Sequence, residues 1–580
     1  MARPRRRSPA PNAREDAPPP AARAPRAAPA PPARVALALF ALAAALRLLF
    51  WGATADRSEA FHAAYEGDAL LWLDWARAIR LGLPFELDFP LHPPGTSYLL
   101  AALWNGEPGG IPGLRALWCL LGAAAVALFY LAARRSFGAR PALAVGLLLA
   151  GAHGLLVLSA SIDSETPYLV LVAASLLLHE DLLAARPARG RVALWGLLQG
   201  AACLFRVEHA LFAALWWAWL ALARRRRGEP VRSLAVPTAL ALAVALAALA
   251  PWHLRAWRAV ARLNAEPPRE TAAEAAAYGA IERGTAHLPW DDAARRWRAA
   301  LPAFARRPAA LFVAATAAHR GHAAIGAAEV AAVEEAFGAS PRPLPGRFFV
   351  SLYGPLNFAL ANHAEASGGF STRVLERPPP LAGGAASYPH ELVSGLPPPE
   401  LALTYPPHLA LVLDGYAVGG RWIAGHPAEF ARLAARKLAI FWSGAASGLT
   451  GWNLPAGPAT VRRFVDMSAP RPGPRATLWQ LAVLALAAAG AWRARRSAAL
   501  APWLLYLASK AIVTVAFFGY VRQGALVVPV VALLAVLALV PSPAPDEPAR
   551  GPRAARLLPL AAALALLAIE VARFVTVAAA

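Results

Sequence analysis

The chain has 580 residues, of which 58% are hydrophobic and only 16% are Asp, Glu, Lys or Arg. In soluble domains, about a quarter of all residues are charged. Uncharged runs such as 234–250, 478–491 and 524–540 approach the roughly 20 residues that a helix needs to cross a bilayer. This composition excludes an ordinary soluble globular protein, and the number of apolar runs excludes a protein with a single membrane anchor.

The formal net charge is +22, and 55 of the 57 basic residues are arginines. They stand in short clusters between apolar runs, which is typical of the cytoplasmic loops of membrane proteins and argues against a nucleic-acid partner. Both cysteines, Cys119 and Cys203, lie inside apolar runs. Neither a disulfide framework nor a thiolate metal site is predicted.

From the N-terminus onward, the hydropathy pattern predicts an all-α polytopic membrane protein with about eleven transmembrane helices. The first outer loop, 52–113, is too polar to span the membrane. The predicted parts are a disordered basic cytoplasmic tail (1–34), an N-terminal transmembrane module (35–250), an extracytoplasmic mixed soluble region (251–476) and C-terminal transmembrane helices (477–580). The predicted spans lie near 35–51, 114–133, 141–160, 166–182, 192–205, 210–223, 234–250, 477–492, 499–518, 524–541 and 557–577.

The distribution of arginine predicts how these spans are oriented. The loops that face inside when the N-terminus is cytoplasmic hold sixteen arginines, whereas the short outer turns hold only Arg206 and Arg522. Since cytoplasmic loops carry the excess of basic residues, both polar regions should face outside. We therefore expect a multi-pass protein of the bacterial inner membrane with an extracytoplasmic site.

The first outer loop contains a carboxylate beside aromatic residues. On a helix, Asp68, Trp72 and Trp75 share one face by the i, i+4, i+7 rule. A helix start near Gly67 would favour the ionised carboxylate, which could take a proton from an acceptor hydroxyl. The alternative is that Asp68 only caps this helix.

Other polar residues beside the spans have two interpretations each. His92 stands at a Pro-Pro-Gly bend and either contacts a phosphate or metal or is a solvent-facing loop histidine. Arg206 and Glu208 form either a functional site at membrane depth or a mutually neutralising pair. The remaining candidates are Arg47, which could snorkel to the interface, Glu165, which could start a helix, and Arg255, which follows the predicted helix stop at Pro251.

In order along the chain, these motifs resemble those of the GT-C glycosyltransferases, in particular the bacterial branch related to dolichyl-phosphate-mannose protein mannosyltransferases and the aminoarabinose transferase. The similar segments are Gly67–Arg77, His92–Gly95, Leu114–Gly138, Ser161–Tyr168, Gly196–Glu208, Pro251–Arg255, Gly354–Asn362, Gly425–Trp442 and Gly519–Pro529. The resemblance covers about residues 35–541.

The resemblance implies a catalytic base at Asp68. The family often has a second acid directly after this position, where this chain has Ala69, so Glu66 is the candidate for that role. His92, Arg206 and Arg255 are implied as contacts of the donor phosphate. Further candidates are Glu165, Arg47 and Arg522. No convincing match to the aminoarabinose transferase's metal ligands is found, and the need for a divalent cation or another cofactor stays open.

The function implied is transfer of a sugar, with inversion, from a polyprenyl-phosphate donor to an extracytoplasmic lipid, glycan or protein. An O-antigen ligase or polymerase is the first alternative and would not need Asp68. A transporter or flippase of lipid-linked glycans is the second and predicts inverted repeats and broken helices; a non-catalytic scaffold is the third. The sugar, the acceptor, the oligomeric state and the role of the 259–345 insertion are not predicted.

Overall fold

The computed structural model describes residues 32–54, 68–82, 90–184, 186–265, 292, 343–376, 406–449 and 474–540. Within these ranges all regular structure is helical, and no strand occurs. The α-helices are α1 (Pro32–Thr54), α2 (Asp68–Arg80), α3 (Gly95–Leu103), α4 (Ile111–Phe137), α5 (Ala139–Gly151), α6 (His153–Ala160), α7 (Glu165–Leu177), α8 (His179–Leu183), α9 (Arg189–Phe205), α10 (His209–Arg226), α11 (Ala235–Ala265), α12 (Tyr353–Ala361), α13 (Arg373–Glu376), α14 (Pro406–Gly425), α15 (Pro427–Gly448), α16 (Pro474–Arg493), α17 (Ala501–Ala516), α18 (Val521–Ala525) and α19 (Val528–Leu539).

Four of these helices are long and apolar enough to cross a membrane. They are α1 (Pro32–Gly52), α4 together with the 3-10 turn before it (Pro108–Phe137), α11 (Ala235–Ala265) and α17 together with the 3-10 turn before it (Ala498–Ala516). The pair α5 and α6, bent by 53° at Ala152, adds a fifth if it forms one broken span. The predicted all-helical, multi-pass character is thereby confirmed, whereas the number of about eleven spans stays a prediction. The last predicted span, 557–577, lies outside the described residues.

Small residues allow the span helices to pack closely. A Cβ atom added at Gly200 of α9 would lie 2.6 Å from the carbonyl oxygen of Ala245 on α11, and Gly196 approaches Ala241 in the same way. Interfaces of this kind are favoured in membranes, where van der Waals packing drives helix association. The apolar core that results includes side chains of α1, α4, α7 and α19.

Helix α15, which lies within the predicted extracytoplasmic region 251–476, contributes side chains to this core. Its first half is polar, but Phe441, Ala445 and Ala446 in its second half are buried in the same apolar cluster as side chains of α6 and α19. A Cβ atom at Gly444 would meet the carbonyl of Val521, so α15 and α18 lie in direct contact. Helix α15 thus connects α14, which precedes it in the chain, to the helices of the apolar core.

The predicted outer turns and the predicted inner loops lie at opposite ends of α4. Near the start of this helix, the Trp118 indole donates to the backbone carbonyl of Asp163, at 2.9 Å. Near its end, Arg135 makes two hydrogen bonds with the Asp181 carboxylate, at 2.8 and 2.9 Å. Seventeen residues of helix separate Trp118 from Arg135, which corresponds to about 25 Å.

Helix α11 corrects the prediction that Pro251 ends a span. The helix continues through this proline to Ala265. Just after the proline, the indole of Trp252 donates to the carbonyl of Val350 at 2.7 Å. This tertiary anchor fixes the second half of α11 against the region that follows it, and packing of that kind overrides the tendency of proline to end a helix.

Several predictions fall on residues outside the described ranges. They concern Glu66, the tail up to residue 31, the last span and nearly all of the 259–345 insertion.

Candidate active site

Asp68 lies at the first position of α2, as the predicted helix start requires. One of its carboxylate oxygens accepts a hydrogen bond from Arg522 Nη2 at 2.7 Å. On the buried side of α2, the rings of Trp72 and Trp75 are 5.1 Å apart, and both side chains are almost inaccessible to solvent. The aromatic face therefore anchors α2 and holds Asp68 at its N-terminal end.

Arg522 connects Asp68 to a chain of alternating charges. Its Nε lies 3.6 Å from a carboxylate oxygen of Glu165, and the same oxygen accepts a hydrogen bond from Arg206 at 2.7 Å. Arg206 also donates to Glu208 at 2.6 Å, and Glu208 accepts from Lys510 at 3.0 Å. We call these six residues (Asp68, Arg522, Glu165, Arg206, Glu208 and Lys510) the charge cluster.

Exposure varies strongly along the charge cluster. The side chain of Asp68 is 33% exposed, whereas Glu165 and Lys510 are each 1% exposed. Arg522, at 11%, lies between these extremes. Asp68 is therefore the open end of the cluster, and a substrate can reach it more easily than it can reach the other acids.

The charges around Asp68 keep it ionised. Burial alone would raise the pKa of Asp68, but Arg522, with further contributions from His92 and Arg206, lowers it below its usual value. The same pairing raises the pKa of the Arg522 guanidinium despite its burial. At neutral pH the site thus contains a carboxylate and a guanidinium in direct contact.

The turn between α6 and α7 carries Glu165 and a second buried acid. Burial, reinforced by Glu165 and opposed by Arg522, raises the pKa of Asp163 to about 7. The Ser161 hydroxyl donates to one Asp163 carboxyl oxygen, and the other has no hydrogen-bond partner among the described residues. Asp163 therefore exchanges a proton near neutral pH.

Helix α4 fixes this turn from its own N-terminal half. The guanidinium of Arg115 donates to the carbonyl of Ala160 at 2.8 Å, in addition to the bond from Trp118 described above. From the other side, the Thr166 hydroxyl donates to Leu158 at 2.6 Å. These three bonds hold the backbone that carries Asp163 and Glu165, so the geometry of the two acids is set by the fold.

His92 lies close to Asp68 in an aromatic surrounding. Its ring centroid is 5.2 Å from that of Trp75 and 4.5 Å from that of Tyr353. Gly95, in the same predicted bend, is required by close packing, because a Cβ atom there would lie 2.8 Å from the carbonyl of Leu204. The bend thus places His92 between α2 and α12, within electrostatic range of Asp68.

Two predicted arginines lie elsewhere. Arg47 is fully buried in the core, where it donates to the carbonyls of Ala43 and Ala150, both at 3.2 Å, and to the Ser159 hydroxyl at 3.0 Å. It therefore satisfies the helix end at the α5–α6 break and does not snorkel to the interface. Arg255 packs beside Trp252 on α11, with its guanidinium 5.7 Å from the ring centroid.

Sequence reasoning missed Lys510, Tyr353 and Tyr520. Lys510 is one of only two lysines in the chain and lies in an otherwise uncharged apolar run, a signal that marks a functional position by default. Tyr353 carries no such signal, since its proximity to His92 depends on how distant segments meet. Tyr520 lies only two residues before Arg522, whose guanidinium is 5.8 Å from the centroid of its ring.

A second, uncharged polar network extends from the cluster between the helices. The Tyr168 hydroxyl is 3.0 Å from His209 Nδ1, and His209 Nε2 is 2.8 Å from the amide oxygen of Gln199. Gln199 in turn donates to Ser175 at 2.9 Å. Because buried polar groups are costly unless they are bonded, this network stabilises the contact between α7, α9 and α10.

Metal ligands are not grouped in the described part of the chain. No set of three or more His, Cys, Asp or Glu side chains there is arranged to hold a metal ion.

Comparison with known proteins gives one family and two structures. Residues 91–254 match the sequence profile of the dolichyl-phosphate-mannose-protein mannosyltransferases. The archaeal oligosaccharyltransferase AglB from Archaeoglobus fulgidus, in complex with an inhibitory peptide and a dolichol-phosphate, is 14% identical, with a TM-score of 0.41. ArnT from Cupriavidus metallidurans in the apo state is 15% identical, with a TM-score of 0.32.

The alignments cover 94% of this chain and 55% of AglB, and 87% of this chain and 78% of ArnT. The chain thus spans about half the length of AglB. No curated protein sequence matches the chain. The matched segment includes His92, Glu165 and Arg206, and over residues 91–254 it confirms the predicted resemblance to the mannosyltransferase branch of the GT-C membrane glycosyltransferases.

Proposed function

We propose that this protein transfers a sugar from a polyprenyl-phosphate donor to an acceptor hydroxyl, with Asp68 as the general base. The observation that carries the proposal is the position of Asp68, the most exposed acid of the charge cluster, directly beside Arg522. A reaction of this kind needs a carboxylate at the acceptor and cations at the leaving phosphate. The cluster contains both within one site.

Cations for the phosphate are available next to the base. Arg206, Arg522 and Lys510 belong to one cluster, and His92 lies close to Asp68. Charge-assisted hydrogen bonds from arginine are strong and match the geometry of phosphate oxygens. The name of the matched family, with its dolichyl-phosphate-mannose donor, supports the same donor class. Arg255, which is not part of the charge cluster, becomes a weaker candidate for the phosphate contact.

The proposed reaction is a direct displacement at the anomeric carbon. The acceptor oxygen forms a bond to this carbon while the bond from the carbon to the phosphate oxygen breaks. The acceptor proton goes to Asp68, and the polyprenyl phosphate leaves with the bonding electron pair. Attack from the side opposite the leaving group inverts the anomeric configuration, and general-base help contributes roughly 10²–10⁴-fold to the rate.

The broken pair α5 and α6 is the one observation that favours a flippase. Broken helices in transporters usually expose backbone groups to a substrate site. Here the Ala150 carbonyl at the break accepts a hydrogen bond from Arg47, and Arg47 is fully buried. The Ala150 carbonyl is thus bonded within the protein, which makes the flippase the weaker candidate.

Complementation of a deletion strain tests the proposal. Glycolipids and glycoproteins are compared after expression of the wild type, of Asp68→Asn, and of Asp181→Asn as a matched control that breaks an exposed ion pair at the other end of α4. We expect one sugar to disappear on deletion and to return with the wild type and the control only. Full restoration by Asp68→Asn at wild-type protein level would remove Asp68 as the base and favour the ligase or the flippase.

A further inference from the structure

The pairing of Asp68 with Arg522 places a carboxylate where an anionic ligand would bind. Arg522 Nη2 donates to Asp68 at 2.7 Å, while its Nε lies 3.6 Å from Glu165, beyond hydrogen-bonding distance. Both acids neutralise the guanidinium, but only Asp68 is bonded to it. We infer that Arg522 binds the phosphate of the donor lipid and that Asp68 occupies this position until the donor arrives. This inference rests on the proposed function.

Of the two acids at Arg522, only Asp68 can be exchanged. Its side chain is 33% exposed and stands at the N-terminal end of α2, whereas Glu165 is 1% exposed and is held by Arg206 at 2.7 Å. A phosphate that enters from the open side therefore meets Asp68 first. Because a phosphate offers several acceptor oxygens and binds arginine in a bidentate manner, it can replace a single carboxylate contact.

The backbone just before Arg522 is fixed by contacts with other segments of the chain. The amide of Gly519 donates to the carbonyl of Gly368 at 2.8 Å, and a Cβ atom on Gly519 would meet the carbonyl of Lys437 on α15. Tyr520 packs against Phe518 with ring centroids 5.6 Å apart. Since the segment is fixed on several sides, the exchange needs only side-chain movement at Asp68 and Arg522.

The exchange couples the strength of the base to the presence of the donor. While Arg522 is bonded to Asp68, it lowers the pKa of this carboxyl and makes Asp68 a weak base. When Arg522 turns to the phosphate, this cation no longer stabilises the carboxylate, and the new negative charge nearby destabilises it further. The pKa of Asp68 then rises. Asp68 accepts the acceptor's proton readily only when a donor is bound.

Binding of farnesyl phosphate, a short polyprenyl phosphate, tests the inference in the purified full-length protein. The expected result is unusual, because loss of the catalytic base strengthens donor binding. Asp68→Asn should lower the dissociation constant about fivefold, since removal of a competing contact of ~1 kcal/mol corresponds to that factor. Arg522→Gln should raise it at least ~10-fold. In the double variant, Asp68→Asn should bring no gain.

Three controls make the result specific. Asp181→Asn removes the carboxylate of a different Arg–Asp pair and should leave the affinity unchanged. Farnesol, which lacks the phosphate, should bind wild type and Asp68→Asn equally; an equal gain with farnesol contradicts the inference. Asp68→Ser repeats the measurement with a smaller side chain, and thermal unfolding establishes that each variant is folded.

The outcomes separate this inference from the proposed function. Tighter binding of farnesyl phosphate by Asp68→Asn and Asp68→Ser, lost when Arg522 is also replaced, supports the exchange. Binding that is unchanged or weaker in both Asp68 variants overturns the exchange but leaves the donor class intact. No binding to any folded variant overturns the donor class, and the exchange falls with it.

Discussion

The ammonium group of Lys510, on the otherwise uncharged helix α17, lies 3.0 Å from a carboxylate oxygen of Glu208. The two partners differ in what else they contact. Glu208 also accepts a hydrogen bond from Arg206 at 2.6 Å, whereas Lys510 otherwise faces the rings of Tyr168 and Tyr506, at 4.6 and 5.8 Å. Because only Glu208 has a second oppositely charged partner, we expect the loss of Glu208 and the loss of Lys510 to reduce stability by different amounts.

Glu208→Gln should therefore destabilise the protein more than Lys510→Met. The first change removes the carboxylate that is bonded to the buried Lys510 ammonium, which costs roughly 3–5 kcal/mol. The second leaves Glu208 paired with Arg206 and should cost about 1 kcal/mol. Thermal unfolding of the two variants in the same detergent measures the difference. Equal losses, or a larger loss for Lys510→Met, would contradict the proposed asymmetry.

The stability of the protein should depend on pH through Asp163. Its pKa is raised to about 7 in the folded state by burial and by Glu165, with Arg522 acting in the opposite direction. Between pH 4 and 7 the folded form thus holds a proton that the unfolded chain has released, so stability falls as pH rises through this window. Asp163→Asn removes the ionisation and should raise the unfolding temperature.

The unfolding temperature of Asp163→Asn should exceed that of the wild type by an amount that increases from pH 5 to pH 8. Asp181→Asn is the matched control, because Arg135 lowers the pKa of Asp181 and Asp181 is ionised throughout this range in both states. Its difference from wild type should not change with pH. A constant difference for Asp163→Asn as well would show that Asp163 is ionised in the folded protein at pH 5.

The sequence predicted most members of the charge cluster but not their arrangement. Asp68, Glu165, Arg206 and Arg522 each lie in or beside a polar segment between apolar runs, and charged residues near membrane spans attract a functional interpretation on that ground alone. Which segments meet depends on the packing of α4, α9, α15 and α18. The hydropathy pattern does not contain that information, because it gives spans but no neighbours.

Tertiary contacts also explain why single residues lie in surroundings that the local sequence does not indicate. Arg47 was a candidate for the site, yet the break at Ala152 creates a free carbonyl in the core, and Arg47 satisfies it. Pro251 was expected to end a helix, yet α11 continues beyond it. The bend between α5 and α6 explains the position of Arg47, and the hydrogen bond from Trp252 to Val350 explains the continuation of α11. Neither contact can be read from the local sequence.

Substitution of Gly519 should weaken transfer by displacing Arg522. A Cβ atom at this position would clash with the backbone carbonyl of Lys437, and backbone cannot yield as a side chain can. Gly519→Ala should therefore shift the segment before α18 and reduce activity at least ~10-fold, as expected when a substrate-binding group is misplaced.

Gly420→Ala is the control, because nothing lies within 4 Å of a Cβ atom added there, and its activity should equal that of the wild type. Activity is measured as restoration of the sugar lost on deletion, at equal protein levels, and full restoration by Gly519→Ala would contradict this positioning.

Replacement of Arg47 separates a structural arginine from a substrate-binding one. Arg47→Met leaves the Ala150 carbonyl at the end of α5 without this donor, and a buried unsatisfied group of this kind costs roughly 1–3 kcal/mol. The Ala43 carbonyl lies inside α1 and keeps the backbone hydrogen bond of that helix. We expect a clear fall in the unfolding temperature, with activity per folded molecule within about twofold of wild type. Arg495→Met, which removes an exposed arginine stacked on Trp492 at 4.0 Å, should change neither quantity. If Arg47→Met instead retained stability and lost transfer at least ~10-fold, Arg47 would belong to the donor site, and the cluster around Asp68 would be incomplete.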